Sequence, residues 1–336
     1  MRDDYLDKFF SGDMLAAARL MSIVERGGDE AEGVLTALFP RMGRSYRIGM
    51  TGLTGAGKST LVNQLTKHYR SKGLTVGVVA EDPTSPFSGG AILGDRVRML
   101  DAHGDAGVFI RSIASRGSET GLSEKATELA DILDAFGRDL IFLETIGVGQ
   151  LETKIRYSAH TTVVVLTPDA GDDVQSLKSG LMEVGEVFVV NKADRPIAQR
   201  YSDDLRSMLD LRSPGDGWQP PVVCTVATTG DGIDELANKI DSHRTFLDAN
   251  GRLEEKRFEA LKNRMRRLTE EKLKELFWEN EYIKKSLETA LSEVVSGNKS
   301  PYQAADEIVM PIKIEKDKIE KKDKVKGRGK RKGGAR

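Results

Sequence analysis

The sequence predicts an α/β fold with a mostly parallel central sheet flanked by helices, plus helical N- and C-terminal extensions. Two observations carry this. Seven short apolar runs, at 48–50, 76–80, 108–110, 140–143, 163–166, 187–190 and 222–226, recur through the middle of the chain. They show no polar alternation, so they fit strands buried on both faces of a parallel sheet, with the intervening helical segments as crossovers. The second is a glycine-rich turn, 52-GLTGAGKST-60, set between the first run and a helix-like stretch at 61–69.

Taken in order, residues 1–45 form an N-terminal helical extension. Leu6, Phe9 and Phe10 share one face, and Met14, Leu15, Ala18, Leu20 and Met21 continue the apolar stripe. The pair Gly27-Gly28 breaks it and 31–39 resumes it. Residues 46–245 hold the sheet. Residues 246–312 read as a C-terminal helical dimerisation region. Leu261, Met265, Leu268, Leu273, Leu276 and Phe277 recur at helical spacing, extended by Trp278 and Tyr282. Such a face needs a cover, either the chain's own sheet domain or a second copy. Residues 313–336 carry a surplus of eight positive charges with little apolar content, the composition of a solvated, disordered tail. No aromatic side chain interleaves its basic residues, so nucleic acid is not expected as a partner.

Composition excludes other classes. No stretch of about 18 apolar residues is present, so no membrane span is expected. The N-terminal residues are acidic and lack a long apolar core, unlike a secretory leader. The single cysteine, Cys224, makes neither an intramolecular disulfide nor a zinc pair. A reducing cytoplasm is the expected setting.

The turn after the first strand has the spacing of a phosphate cradle, Gly52, four residues, then Gly57-Lys58-Ser59. The glycines let backbone N–H groups converge on phosphate oxygens, and a helix starting near Lys58 adds its positive end. Lys58 reaches the β- and γ-phosphates and Ser59 ligates Mg²⁺ in such a P-loop. Gly52, Leu53, Thr54, Gly55, Ala56, Gly57, Lys58, Ser59 and Thr60 are therefore the expected nucleotide-holding residues.

Further along, 191-NKAD-194 follows the sixth strand. A carboxylate there accepts from both the ring N–H and the exocyclic amine of guanine, a donor pair that adenine lacks. Asn191, Lys192 and Asp194 thus point to GTP and GDP. Val226, Ala227 and Thr228, after the seventh strand, sit where backbone donors meet the guanine oxygen. On the metal side, Asp82 ends the second strand and is placed to hold Mg²⁺. The fourth strand ends in Glu144-Thr145-Ile146-Gly147, a carboxylate near the metal followed by a glycine whose N–H senses the γ-phosphate. The glycine-rich stretch 88–99 with Asp95 reads as a mobile switch segment.

Several ordered motifs together, 82-DPTS-85, 88-SGGAILGD-95, 115-SRG-117, 144-ETIGVGQ-150 and 171-GDDVQ-175, resemble the methylmalonyl-CoA mutase-associated GTPases (MeaB/ArgK-like). These belong to the metallochaperone-related P-loop GTPases. The resemblance is dense over 46–245 and looser in the flanks. It implies a parallel-sheet G domain and a homodimer through C-terminal helices. It also implies slow intrinsic GTP hydrolysis that a partner stimulates. The implied partner is an adenosylcobalamin-dependent acyl-CoA mutase, most of all methylmalonyl-CoA mutase, whose cofactor loading is gated; a cobalamin adenosyltransferase is a further implied partner. By the same resemblance Asp82, Asp95 and Glu144 are metal and switch carboxylates. Asp172, Gln175 and Lys178 form a partner-sensing switch, with Lys178 also counted among the catalytic residues beside Lys58.

The chain departs from that pattern at Asp169, in its basic tail, and at Val148, where no glutamine follows Gly147 to position water. Slow hydrolysis is expected on that ground too. Two alternatives are a nickel-type metallochaperone GTPase and a P-loop kinase. His68, His103, His160 and His243 are scattered, which counts against the first, and Asn191 to Asp194 count against the second. A protein in which GTP is purely structural is a third reading, from a non-catalytic class.

Overall fold

The computed structural model describes residues 2–82, 104–114, 123–147, 152–168, 180–211 and 217–309. The chain divides into two compact units, Met1–Ala260 and Leu261–Arg336.

In the first unit the N-terminal extension is three helices, α1 (Arg2–Phe10), α2 (Met14–Arg26) and α3 (Asp29–Leu38). The stripe is interrupted at Gly12 as well as at Gly27-Gly28. Asp13 then starts α2, its carboxylate accepting from the N–H groups of Leu15 and Ala16 at 2.7 and 3.1 Å. α2 buries Ala17, Leu20, Met21 and Val24 completely.

The sheet has seven parallel strands in the order β3-β2-β4-β1-β5-β6-β7. These are β1 (Tyr46–Gly52), β2 (Val76–Asp82), β3 (Val108–Ala114), β4 (Leu140–Glu144), β5 (Thr161–Leu166), β6 (Val187–Asn191) and β7 (Val222–Thr225). Each apolar run lies in a strand, except that Val226 falls beyond β7. It forms an isolated antiparallel bridge with Asp231 instead.

Successive strand side chains point to opposite faces, so both faces need covering. On one face, Val78, Phe142, Val163 and Val189 pack with Leu61, Leu65 and Tyr69 of α4 (Lys58–Ser71). The other face is covered in two parts. Val79, Ile141 and Leu143 pack with α5 (Glu124–Ala135) and the N-terminal helices. Val164, Leu166, Phe188 and Val190 pack with Leu205 and Leu209 of α6 (Ala198–Asp210). The first face is completed by Leu236, Ala237 and Ile240 of α7 (Ile233–Ala249). Each fully buried side chain of this kind contributes roughly 1.5–3 kcal/mol.

The entry to β1 is held by charge. Asp134 on α5 accepts from the N–H groups of Gly43, Arg44 and Ser45 at 2.8, 3.0 and 3.0 Å. Arg47 reaches Asp131 at 2.8 Å and Asp134 at 3.1 Å. Burial pushes the Asp134 carboxyl up, but Arg47 and the three N–H groups outweigh it and hold it below the ordinary value.

Helix α8 (Arg252–Glu279) is followed in the second unit by α9 (Glu281–Val295) and α10 (301–309). Ile283, Ala290, Ala304 and Ile308 make a small core there. Leu273, Leu276, Trp278 and Tyr282 remain exposed in the single chain. No helix among the described residues is long and apolar enough to cross a membrane.

Candidate guanine nucleotide site

Parallel strands place all their carboxyl ends on one edge, where ligands of open α/β sheets bind. Gly52, Asp82, Glu144, Asn191 and Thr225 are the last residues of β1, β2, β4, β6 and β7. A cavity of about 530 Å³ opens at that edge, lined by Thr54, Gly55 and Gly57 to Thr60 and by Asn191, Lys192, Asp194 and Val226 to Thr228.

The phosphate side is a tight loop into α4. Gly57 starts the helix at φ 93°, and a Cβ there would lie 2.3 Å from Asn191 Nδ2, so only glycine fits. Lys58 is 5% exposed, and its Nζ donates to the carbonyls of Gly52 and Leu53 at 2.7 and 3.1 Å. The ammonium is thereby fixed at the start of the helix. Thr54 ties the loop to the end of the fourth-strand motif, its N–H and hydroxyl donating to the Gly147 carbonyl at 3.2 and 3.1 Å. Thr54, Gly55, Gly57, Lys58, Ser59 and Thr60 line the cavity, whereas Gly52, Leu53, Ala56 and Gly147 are not among its lining residues.

The metal side consists of hard oxygen donors. The Ser59 hydroxyl donates to Glu144 Oε1 at 2.6 Å. Asp82 and Glu144 are 2% and 3% exposed and line the same cavity. A hydroxyl and two buried carboxylates suit Mg²⁺, which takes one or two protein carboxylates and completes its shell with water and phosphate. Among the described residues no group of three His, Cys, Asp or Glu side chains forms a closed metal cage.

The base side is organised by Asn191, which is 2% exposed. Its Nδ2 donates to the Ala56 carbonyl at 2.8 Å, and its Oδ1 accepts from Thr225 Oγ1 and Ala227 N, each at 3.1 Å. One amide thus joins the phosphate loop, β6 and the loop after β7. Lys192 takes a left-handed backbone, φ 61°, and turns the chain so that Asp194 stands exposed at the cavity rim. The Val226 N–H is bound to Asp231 O at 3.0 Å and so is not available as a donor to a base.

The structure brings the P-loop, Asp82, Glu144, the 191–194 segment and the 226–228 loop together around one cavity. Asp95, Asp172, Gln175 and Lys178 lie outside the described residues. Glu81, Thr145 and Ile146 also line the cavity and went unassigned in the sequence reading. Glu81 Oε1 accepts from Ser123 N, at the cap of α5, at 2.6 Å. The acidic pair at 81–82 was visible in the sequence. Because β2 is buried throughout, no alternation told which side chain faces what.

Residues 17–282 match the family model for the methylmalonyl Co-A mutase-associated GTPase MeaB. A Pyrococcus abyssi protein described as a GTPase is 44% identical over 322 residues, covering 93% of this chain and 97% of the relative. The Escherichia coli GTPase ArgK is 35% identical over 300 residues, covering 86% of this chain and 90% of its own. A crystal structure titled LAO/AO transport system kinase superposes with a TM-score of 0.70 at 28% identity, covering 93% and 97% of the two chains. The cradle for phosphate, the carboxylate at the end of 191–194 and this likeness along most of the chain converge: the protein is a GTPase and belongs to the MeaB family.

Proposed function

We propose that this GTPase is a switch that gates cofactor loading and protects an adenosylcobalamin-dependent acyl-CoA mutase, with methylmalonyl-CoA mutase as the client. The observation that carries this reading is the family match across 17–282, which takes in the nucleotide site and parts of both helical flanks. The family is named for its association with that mutase.

In this reading Lys58 neutralises charge on the β- and γ-phosphates, and Asp194 reads the guanine ring N–H and amine. Ser59, Asp82 and Glu144 would hold Mg²⁺, which when bound offsets negative charge developing between the β- and γ-phosphates. Water attacks the γ-phosphorus, the bond to the β-phosphate oxygen breaks, and GDP and phosphate leave. Gly147, packed against Thr54, joins the phosphate loop to the segment after β4, so γ-phosphate contact at one is felt by the other. Asp172, Gln175 and Lys178 sense the partner in this reading, Asp95 acts in a switch, and the C-terminal helices form a homodimer. Exposure of Leu273, Leu276 and Trp278 supports the last.

The test is phosphate release with and without purified adenosylcobalamin-dependent mutases. Co-elution with methylmalonyl-CoA mutase that differs between GDP and a non-hydrolysable GTP analogue, with faster turnover, is the expected result. Unchanged turnover and no co-elution with any such mutase would sink the reading.

A further inference from the structure

We propose that Gln64, on the phosphate-binding helix, is a positioning residue for guanine recognition: it holds the base-reading loop in place through the Ala227 carbonyl. The inference rests on the assignment of the 191–194 and 226–228 segments as the base site.

Helix α4 begins at Lys58, and Gln64 lies less than two turns further on. Its Nε2 donates to Ala227 O at 3.0 Å, and the side chain is half-buried. The same stripe of α4 continues with His68 to Asp234 at 2.7 Å, and the residue capping the helix, Lys72, reaches Asp241 at 3.4 Å. Spacings of four put these three on one helix face, toward α7. The lower members tether α4 to α7, and the top member reaches the loop just before it.

The Ala227 residue is therefore held at both ends. Its N–H is fixed by Asn191 Oδ1 at 3.1 Å and its carbonyl by Gln64. A trans peptide is planar, so a fixed carbonyl also fixes the opposite direction of the next N–H, that of Thr228. Thr228 lines the cavity. Guanine presents a carbonyl oxygen at position 6 where adenine presents an amine. The orientation of this peptide thus decides whether a donor meets that oxygen. Gln64 transmits the position of the phosphate helix to the group that reads the base.

The test compares GDP, 6-thio-GDP and IDP by calorimetry on the parent, Gln64→Leu and Gln64→Glu. The thio analogue puts a larger, weaker acceptor at position 6, and IDP lacks the 2-amino group. Gln64→Glu keeps length and shape while replacing the donor by an acceptor. Thermal midpoints without nucleotide show that each variant folds. In both variants the preference for GDP over 6-thio-GDP should fall about three- to tenfold, the range of one neutral hydrogen bond. The preference for GDP over IDP should stay at the parent value. If both preferences are unchanged, or if affinity for all three falls in parallel, Gln64 has no such role. A parent that binds GDP and IDP alike would overturn the base-site assignment and this inference with it.

Discussion

Replacing Asn191 by alanine removes three hydrogen bonds at once: Nδ2 to Ala56 O at 2.8 Å, and Thr225 Oγ1 and Ala227 N to Oδ1, both at 3.1 Å. The amide is buried, so water does not replace it freely. At about 1 kcal/mol net per neutral hydrogen bond, the three total roughly 3 kcal/mol. These bonds join loops that a nucleotide grips from the cavity side, so the loss should appear mainly as weaker binding. About 3 kcal/mol corresponds to on the order of 10²-fold in affinity. Asn191→Asp separates the contributions. It keeps an acceptor for Thr225 and Ala227 but sets a buried carboxylate oxygen against the Ala56 carbonyl in place of the donor, so a loss of at least about tenfold is expected. Titration calorimetry with GDP at fixed Mg²⁺ measures both. An Asn191→Ala protein that is folded, by circular dichroism, and binds GDP within about threefold of the parent would refute the bridging argument.

Lys58→Ala should abolish GTP turnover, measured as phosphate release, while the thermal midpoint stays near the parent's, because the ammonium serves the loop and phosphate rather than the core. Asp134→Ala strips Arg47 of one buried partner and leaves three backbone N–H groups unanswered; a loss of roughly 3–5 kcal/mol in urea unfolding is expected. His160 supplies a pH dependence. Burial, with the nearby cations Arg47, Arg257 and Lys256, holds its imidazole well below the ordinary value, and its Nδ1 accepts from Arg47 N at 3.0 Å. The folded protein therefore keeps it neutral while the unfolded chain takes up a proton near pH 6.5. Its contribution is complete above that pH and is lost as pH falls below it, at up to about 1.4 kcal/mol per pH unit. Urea midpoints from pH 7.5 to 5.5 should fall more steeply in the parent than in His160→Gln.

Much of this protein was determined locally. Seven unalternating apolar runs required a sheet buried on both faces, and all seven lie in strands save Val226 at the end of the last. The glycines of 52–57 and the lysine after them specify a phosphate loop because backbone curvature and a helix start depend on neighbouring residues. What tertiary structure decided lies in contacts between residues far apart in the chain. Ser59 meets Glu144 across 85 positions, Asn191 meets Ala56 across 135, and Gln64 meets Ala227 across 163. Periodicity carries no information about such pairs: Gln64 looked like any polar position on a helix, and Glu81 like any residue of a buried strand. Parallel pairing brings the ends of β1, β2, β4, β6 and β7 to one edge, and the strand order, with β1 between β4 and β5, sets them near one another and turns separate short motifs into one site.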